Sequence, residues 1–480
     1  MRIACASAAM VIVCPGIVGA SPPATAAGDG SDAVRPVYVT NRGIAFDGSR
    51  GPHVIVRYTV GPAGDLVSLG KPVPTGEGAR GLVFAPDGRT AYVVASEENA
   101  VYSYRVDARG ELTPLGSPVD TRGITPFGLA IAPDGHSLYV ANLNSHTVSV
   151  FTIDRFGKPA LAGEPVATGA ANARNVVVTP DGRFLFVAHG VPTDEDPDVL
   201  VTFPIRPGGT LGPVKSTLPI GATGMGLAVT PDDRYLYVAC SLSHLVYGFR
   251  IGPDGELAPV PGSPVSAPKT PEGLALTPDG RRLFVTSVGT QPEVSPDDDG
   301  LWSFRIGTDG ALTVDGRRSD IATGPGVTTT PDGRYLYVSN FFANTVSAFE
   351  TGTLRQLDGS PAPSMGMAPS FNAATVPPNQ GPHASFTVRS QRLLARFDAT
   401  TSSDRNGRIA RYDWDFGDGT TLPDGGPRPS HVYRDTGSHR VTLVVTDNEG
   451  CSSSLVFTGR TALCTGGSAA RTTRLTVATG

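Results

Sequence analysis

Short apolar runs alternate with turn-forming clusters along this chain, and the alternation has a period. The stretch Thr330-Pro331-Asp332-Gly333-Arg334-Tyr335-Leu336-Tyr337-Val338-Ser339-Asn340 shows the unit. Pro331 fixes φ, Asp332-Gly333 is a turn signal, and Tyr335, Tyr337 and Val338 are strand formers at near-alternating spacing. Each copy predicts the corner of a hairpin. A lone hairpin is marginal in water, so the copies must stack to bury their apolar faces. Copies begin at Pro86, Pro133, Pro180, Pro231, Pro278 and Pro331, roughly fifty residues apart, the length of a four-stranded propeller blade. Within one repeat, residues 128–131 precede the turn, 138–142 and 147–151 follow it, and an outer strand falls around 163–166.

Six turns do not mean six blades. Val37-Tyr38-Val39-Thr40-Asn41 reads as a post-turn strand with no turn before it, so the first blade lacks its innermost strand. A matching strand, 371–377, stands one repeat after Pro331. Pairing it with 37–41 closes the ring, removes an exposed edge and predicts seven blades over 35–377. Residues 378–382 form a Pro-rich linker. Beyond it, 383–478 read as a second, smaller sandwich of short strands, in which Tyr412, Trp414 and Phe416 share a face and Trp414 anchors the core.

Composition narrows the function. Gly 59 and Pro 43 among 480 residues suit many short strands joined by turns. A formal charge of −5 argues against nucleic acid or an anionic membrane as partner, since either needs a basic face. Arg2, the apolar stretch 3–18 and Ala24-Thr25-Ala26 predict an export signal over 1–27, too short and too interrupted by Pro15 and Gly16 to span a bilayer. Cys240, Cys451 and Cys464 remain after its removal. The two close ones, Cys451 and Cys464, are expected to pair in an oxidising compartment, and Cys240 to be a buried free thiol.

The sequence Val37-Tyr38-Val39-Thr40-Asn41, followed by repeated Pro-Asp-Gly-Arg-Tyr-Leu-Tyr-Val segments, resembles the YVTN-repeat, lactonase-like seven-bladed β-propellers over 35–377. Tyr412-Asp413-Trp414-Asp415-Phe416-Gly417-Asp418-Gly419-Thr420, with His431-Val432-Tyr433 and Gly437 before the strand from Val441, resembles a PKD domain over 383–478. The resemblance implies an all-β protein: a seven-bladed propeller with a C-terminal immunoglobulin-like sandwich of the kind used outside cells as a spacer or adhesion module.

In a propeller the channel mouth beside the innermost strands is the usual ligand site. The position six residues before each turn proline gives Arg80, Phe127, Arg174, Met225, Glu272, Pro325 and Phe371. Arg80, Arg174 and Glu272 on a partly apolar ring suit a carboxylate or phosphate of a small ligand, because arginine offers a bidentate fork. The plainer alternative is a set of inter-blade ion pairs lining a wet channel. Resemblance to lactonase-like and cycloisomerase-like propellers implies catalysis by arginine, histidine and glutamate at this mouth, with histidine directly after the arginine and Asn-Glu ending the next strand. This chain has Gly81 after Arg80 and Asn175 after Arg174; Ala95-Ser96 stands where Asn-Glu is implied, with Glu97 and Glu98 displaced along the chain. His189 ends a strand on the same face and is the substitute candidate for a base. His53, His146 and His244 lack zinc spacing. Two long loops are acidic, with Asp194, Asp196 and Asp198 in one and Asp297, Asp298 and Asp299 in the other. Calcium suits such oxygens, although the spacing of a known calcium loop is absent.

These features predict a secreted, monomeric, non-enzymatic binding or scaffold protein that meets a small ligand, a carbohydrate or a cell-envelope partner. The alternative is a lactone-hydrolysing, 6-phosphogluconolactonase-like or sugar-acid enzyme using Arg80, Arg174, Glu272 and His189.

Overall fold

The computed structural model describes residues 36–45, 47–61, 63–190, 198–288, 300–319 and 324–478. The export signal and the aspartates 194, 196 and 297–299 lie outside the described residues. Apart from one 3-10 turn at Ser468–Ala470, the described residues hold strands, turns and loops only.

Seven antiparallel sheets follow one another along 37–375, each with four strand positions from the channel outward. In blade 2 the two inner strands, Ala79–Phe84 and Thr90–Ala95, are buried along their whole length. Neighbouring blades cover both of their faces, which is why these strands read as near-continuous apolar runs rather than strict alternation. The outermost position is split in four blades: in blade 3, Pro159–Leu161 and Val166–Ala167 both pair with Thr147–Ile153, so Gly163 lies in the break between them and not within an outer strand.

The ring closes as the unpaired first strand requires. Pro369–Thr375 pairs antiparallel with Val37–Asn41, Tyr38 facing Thr375 and Val39 facing Ala374. The recurrent turn is chemically defined. In blade 7 the Gly333 N–H donates to the Thr330 carbonyl at 2.9 Å, the Thr330 hydroxyl donates to Asp332 Oδ1, and Gly333 takes φ +69, which favours glycine.

Where a tyrosine stands two residues into a post-turn strand, its hydroxyl reaches the next blade. Tyr92 donates to the Gly157 carbonyl, Tyr139 to Gly209 and Tyr237 to Gly310, each at 2.8 Å. Tyr337 reaches Gly64 at 3.4 Å, carrying the same bond across the closure. Phe186 in blade 4 and Phe284 in blade 6 occupy this position and have no hydroxyl to give. Burial raises these phenols, Tyr92 to about 12, so they remain donors throughout the accessible pH range.

The C-terminal domain is a sandwich. One sheet runs Thr421–Leu422, Ile409–Asp415, Gly437–Asp447, Arg471–Ala478; the other runs Thr387–Gln391, Leu394–Asp398, Ser430–Val432. Trp414, 2% exposed, packs between Phe386 at 5.1 Å and Phe397 at 5.2 Å, as the aromatic alternation of its strand predicts. Cys451 and Cys464 are bonded, and Cys240 is free and buried.

The segment between those cysteines does not stay with the sandwich. It folds into a hairpin, Val456–Phe457 against Ala462–Cys464, whose tip enters the propeller channel. There the Val229 N–H donates to the Thr458 carbonyl at 3.2 Å, Val178 to Gly459 at 2.7 Å and Ile131 to Arg460 at 3.1 Å. The Thr461 hydroxyl donates to the Phe84 carbonyl at 3.1 Å. These partners are the last residues of the innermost strands of blades 5, 4, 3 and 2, at the end away from Arg80. Their main-chain groups face the channel without a further strand to pair with, and the hairpin supplies the missing partners. Phe457 and Ala462 are fully buried in the same cluster as Val176 and Val178. The 378–382 segment is equally engaged: Asn379 is buried, donates through Nδ2 to Asp447 at 2.9 Å and through its N–H to the Leu463 carbonyl at 2.8 Å.

Candidate functional site

Arg80, Phe127, Arg174, Met225 and Glu272 are each the second residue of an innermost strand, in blades 2 to 6. In every one of these strands the register with the next strand slips at or directly after that residue: between Arg80 and Leu82, Pro126 and Gly128, Ala173 and Asn175, Gly224 and Leu227, and Pro271 and Gly273. A β-bulge inserts a residue with no partner and re-aims a side chain. Here five bulges in a row turn the second residue toward the channel mouth. Gly81 serves the first bulge with φ +56.

The ring brings Arg80, Arg174 and Glu272 into one electrostatic group, as each perturbs another's titration. Phe127 stands between the arginines, its ring centroid 4.2 Å from the Arg80 guanidinium carbon and 5.6 Å from that of Arg174. Arg174 donates through Nε to the Gly190 carbonyl at 2.8 Å and approaches Met225 Sδ at 3.6 Å. Glu272 Oε1 accepts the Ser241 hydroxyl at 3.4 Å, while Oε2 is buried without a hydrogen-bond partner. Arg80 is 7% exposed and its Nε likewise has no acceptor. Among the described residues no ion pair within 4 Å joins the three, so the plainer reading of inter-blade salt bridges does not describe them.

Burial sets their protonation. Desolvation pushes the Glu272 carboxyl up to about 8 against the opposing pull of Arg174, the Ser241 hydroxyl and Arg80. Desolvation pulls Arg80 down to about 9, with Arg42 adding to the effect and Glu97 opposing it. Arg174 is lowered by burial too. At neutral pH the mouth therefore holds two guanidinium cations and a neutral carboxylic acid with a proton to give.

The remaining candidates lie elsewhere. His189 ends Phe184–His189 and is 1% exposed. By strand alternation it shares the side of Leu185 and Val187, which pack in the cluster shared with blade 3, not the mouth. Desolvation holds the imidazole down at about 4, against the opposing pull of the Val199 and Val187 main chain. His53 donates through Nδ1 to the Arg42 carbonyl at 2.6 Å, while His146 and His244 accept the N–H groups of Asn172 and Thr270, so the three sit in the loops of three different blades. Asp198 accepts the Thr223 N–H at 2.5 Å, and among the described residues no group of three or more His, Cys, Asp or Glu is gathered to hold a metal. Phe371 lies in the closing strand Pro369–Thr375, where its side chain is outside the described set. Sequence reasoning missed Ser241, the Glu272 partner, and the Arg42–Glu97 pair at 3.6 Å beside Arg80. Ser241 immediately follows a post-turn strand, as Ser96 and Leu143 do, and nothing in that spacing singles it out.

Two family models match. "Lactonase, 7-bladed beta-propeller" covers residues 86–173 and 161–270, and "PKD domain" covers 379–461. The chain thus carries a lactonase-type seven-bladed propeller followed by a PKD domain. Among solved structures, the periplasmic gluconolactonase PpgL of Pseudomonas aeruginosa superposes with a TM-score of 0.57 at 23% identity, over 72% of this chain and 99% of that one. A Bacteroides uniformis protein provisionally assigned as a 6-phosphogluconolactonase gives 0.60 at 22% identity, over 72% and 100%. Both likenesses establish the propeller fold. Curated relatives match over short stretches, of about the length of the PKD domain: Microbial collagenase of Vibrio alginolyticus, 36% identical over 87 residues, 18% of this chain and 10% of that protein, and pre-pro-metalloprotease PrtV of Vibrio cholerae, 42% over 74 residues, 15% and 8%. The chain spans a tenth or less of the length of these relatives. Among the described residues no helix is long and apolar enough to cross a membrane.

Proposed function

We propose that the protein is a hydrolase of sugar-type lactones, acting at the propeller mouth outside the cytoplasm. The observation that carries this reading is the convergence of Arg80, Arg174 and a protonated Glu272 whose Oε2 is unengaged. The lactonase family match supports it; the export pattern at the N-terminus, the disulfide and the PKD domain support the location.

In this scheme water adds to the lactone carbonyl carbon, and the oxygen that becomes negative is held by the guanidinium groups on either side of Phe127. Collapse breaks the bond between that carbon and the ring oxygen. Glu272 gives its proton to the departing ring oxygen, making the hydroxyl of the product, and its carboxylate takes the proton shed by the attacking water. The hydroxy acid formed then ionises to solvent, and Glu272 is left as it began. His189 has no part in it.

The lost histidine and the displaced Asn-Glu favour a second reading, in which the mouth binds an anionic ligand without turning it over. Purified protein assayed against a panel of γ- and δ-lactones separates the two. Turnover that falls at least about 100-fold in Glu272→Gln supports hydrolysis, since a positioned general acid contributes on the order of 10²-fold or more. No turnover of any lactone, or turnover indifferent to Glu272, overturns it.

A further inference from the structure

The hairpin tip carries Arg460 into the channel from the end opposite the mouth. Its main chain is anchored by the Ile131 N–H, but its guanidinium has no acceptor within hydrogen-bond or ion-pair distance among the described residues. Desolvation draws it down to about 10, so at neutral pH it is still a cation. It lines a cavity of about 30 Å³ walled by Leu82, Leu227, Leu274 and Val327 from four blades. Arg460 is the one charged residue among the described residues around that cavity; the polar remainder is threonine, including Thr328 and Thr458.

Arg460 is half-buried, and a guanidinium facing a confined, largely apolar cavity draws an anion or ordered water to it. No carboxylate compensates it, and arginine cannot escape by losing its proton. The chain nevertheless spends a disulfide and four tip contacts on holding it there. About 10–15 Å³ suffices for one water. The cavity therefore admits a particle between water and halide in size and excludes a sugar acid or a phosphate ester.

We propose that Arg460 and the threonine-bearing wall form a site for one small monovalent inorganic anion of the chloride class, which neutralises the plug and fastens it in the channel. The site is separate from the mouth: Arg80 and Phe84 are four residue steps apart along one strand, about 13 Å of extended chain. It stands or falls independently of lactone hydrolysis.

The test uses the full chain. Melting temperature is followed while sodium chloride replaces sodium methanesulfonate at constant ionic strength, so that general screening is held fixed. The wild type is expected to show a saturable rise in Tm with chloride, because an ion that binds only the native state stabilises it. Arg460→Met is expected to lose that rise. Chloride NMR line width gives a second reading: the native protein broadens the line, a folded Arg460 variant broadens it less, and the thermally unfolded protein does not. Arg460→Gln replaces the methionine variant if the latter does not fold. A wild-type Tm indifferent to the anion with an unbroadened line, or a saturable rise that persists in a folded Arg460 variant, overturns the proposal and leaves water in the cavity.

Discussion

The Arg80 guanidinium carbon lies 4.2 Å from the centroid of the Phe127 ring, so the face of an aromatic in blade 3 holds a cation from blade 2 at the channel mouth. The same ring is 5.6 Å from Arg174 of blade 4. One neutral, polarisable side chain thus spaces two like charges that would repel if nothing stood between them. Phe127→Leu removes the ring and keeps the apolar volume. Each cation–π contact of this kind contributes about 0.5–2 kcal/mol. Affinity for an anionic ligand is expected to fall several-fold when titrated by calorimetry against wild type, and Tm to fall as the two native contacts are lost.

Glu272 makes the activity pH-dependent in a definite direction. Its acid form is the active one, so the rate is expected to decline as pH rises through about 8. Arg80, drawn down to about 9, steepens the loss above that point. A kcat/KM profile from pH 5 to 10 checks this, and Glu272→Gln should remove the limb near 8 along with most of the rate. Stability carries the same signature. The folded-state pKa lies above the unfolded one, so the native state binds the extra proton and stability falls as pH rises between about 4.5 and 8. Glu272→Gln abolishes that fall, measured as Tm against pH.

His189 has the opposite sign. Its folded pKa, about 4, lies below its unfolded value of 6.5, so the unfolded chain takes up the proton and stability is lost as pH falls from 6.5 toward 4. The imidazole is 1% exposed, and the Val199 and Val187 main chain offsets only part of its desolvation. His189→Leu is therefore expected to raise Tm, most of all below pH 6.5, and to leave lactone turnover intact. A variant that folds and loses turnover would show that the imidazole works at the mouth after all.

The blades and their closure were legible because they repeat. Pro-Asp-Gly turns give the period, and residues 37–41, a post-turn strand without its turn, require a partner from the far end. The mouth was legible for the same reason, since counting back from each turn proline lands on equivalent residues. Protonation was not. Whether Glu272 is an anion depends on how much water the assembled ring excludes, which no local spacing encodes, and so the pocket read as lacking a proton donor. The plug was hidden more deeply. Thr458-Gly459-Arg460-Thr461 is an ordinary polar turn, and the Pro-rich stretch before the PKD domain reads as a spacer. Only the folded arrangement shows Asn379 buried and the turn meeting four blades.

The staple at the base of that turn should matter more for the propeller than for the sandwich that contains it. Closing a loop of 13 residues stabilises by about 3 kcal/mol in the chain-entropy account. With Cys451 and Cys464 both changed to alanine, the hairpin keeps its sequence and loses its constraint. Hydrogen exchange is then expected to quicken at the amides of Ile131, Val178 and Val229, whose acceptors are on the tip. Amides of the outer blade strands should be unaffected. Uniform acceleration across the sandwich alone would mean that the disulfide serves only its own domain.

Gly459 tests the docking without touching the disulfide. It takes φ +107, and a Cβ there would stand 2.9 Å from Val177 Cβ and 3.0 Å from Val177 Cγ1. Val177 is fully buried in an innermost strand, so it has no room to retreat. The tip must either strain or withdraw. Strain of this backbone kind costs about 1–3 kcal/mol, comparable with what the Gly459 carbonyl gains from the Val178 N–H. Gly459→Ala should lower Tm and quicken exchange at Val178, while Thr458→Ala, one residue away with ordinary space, should do neither to the same degree. If the two variants melt alike, the close approach at Gly459 is not what seats the hairpin in the channel.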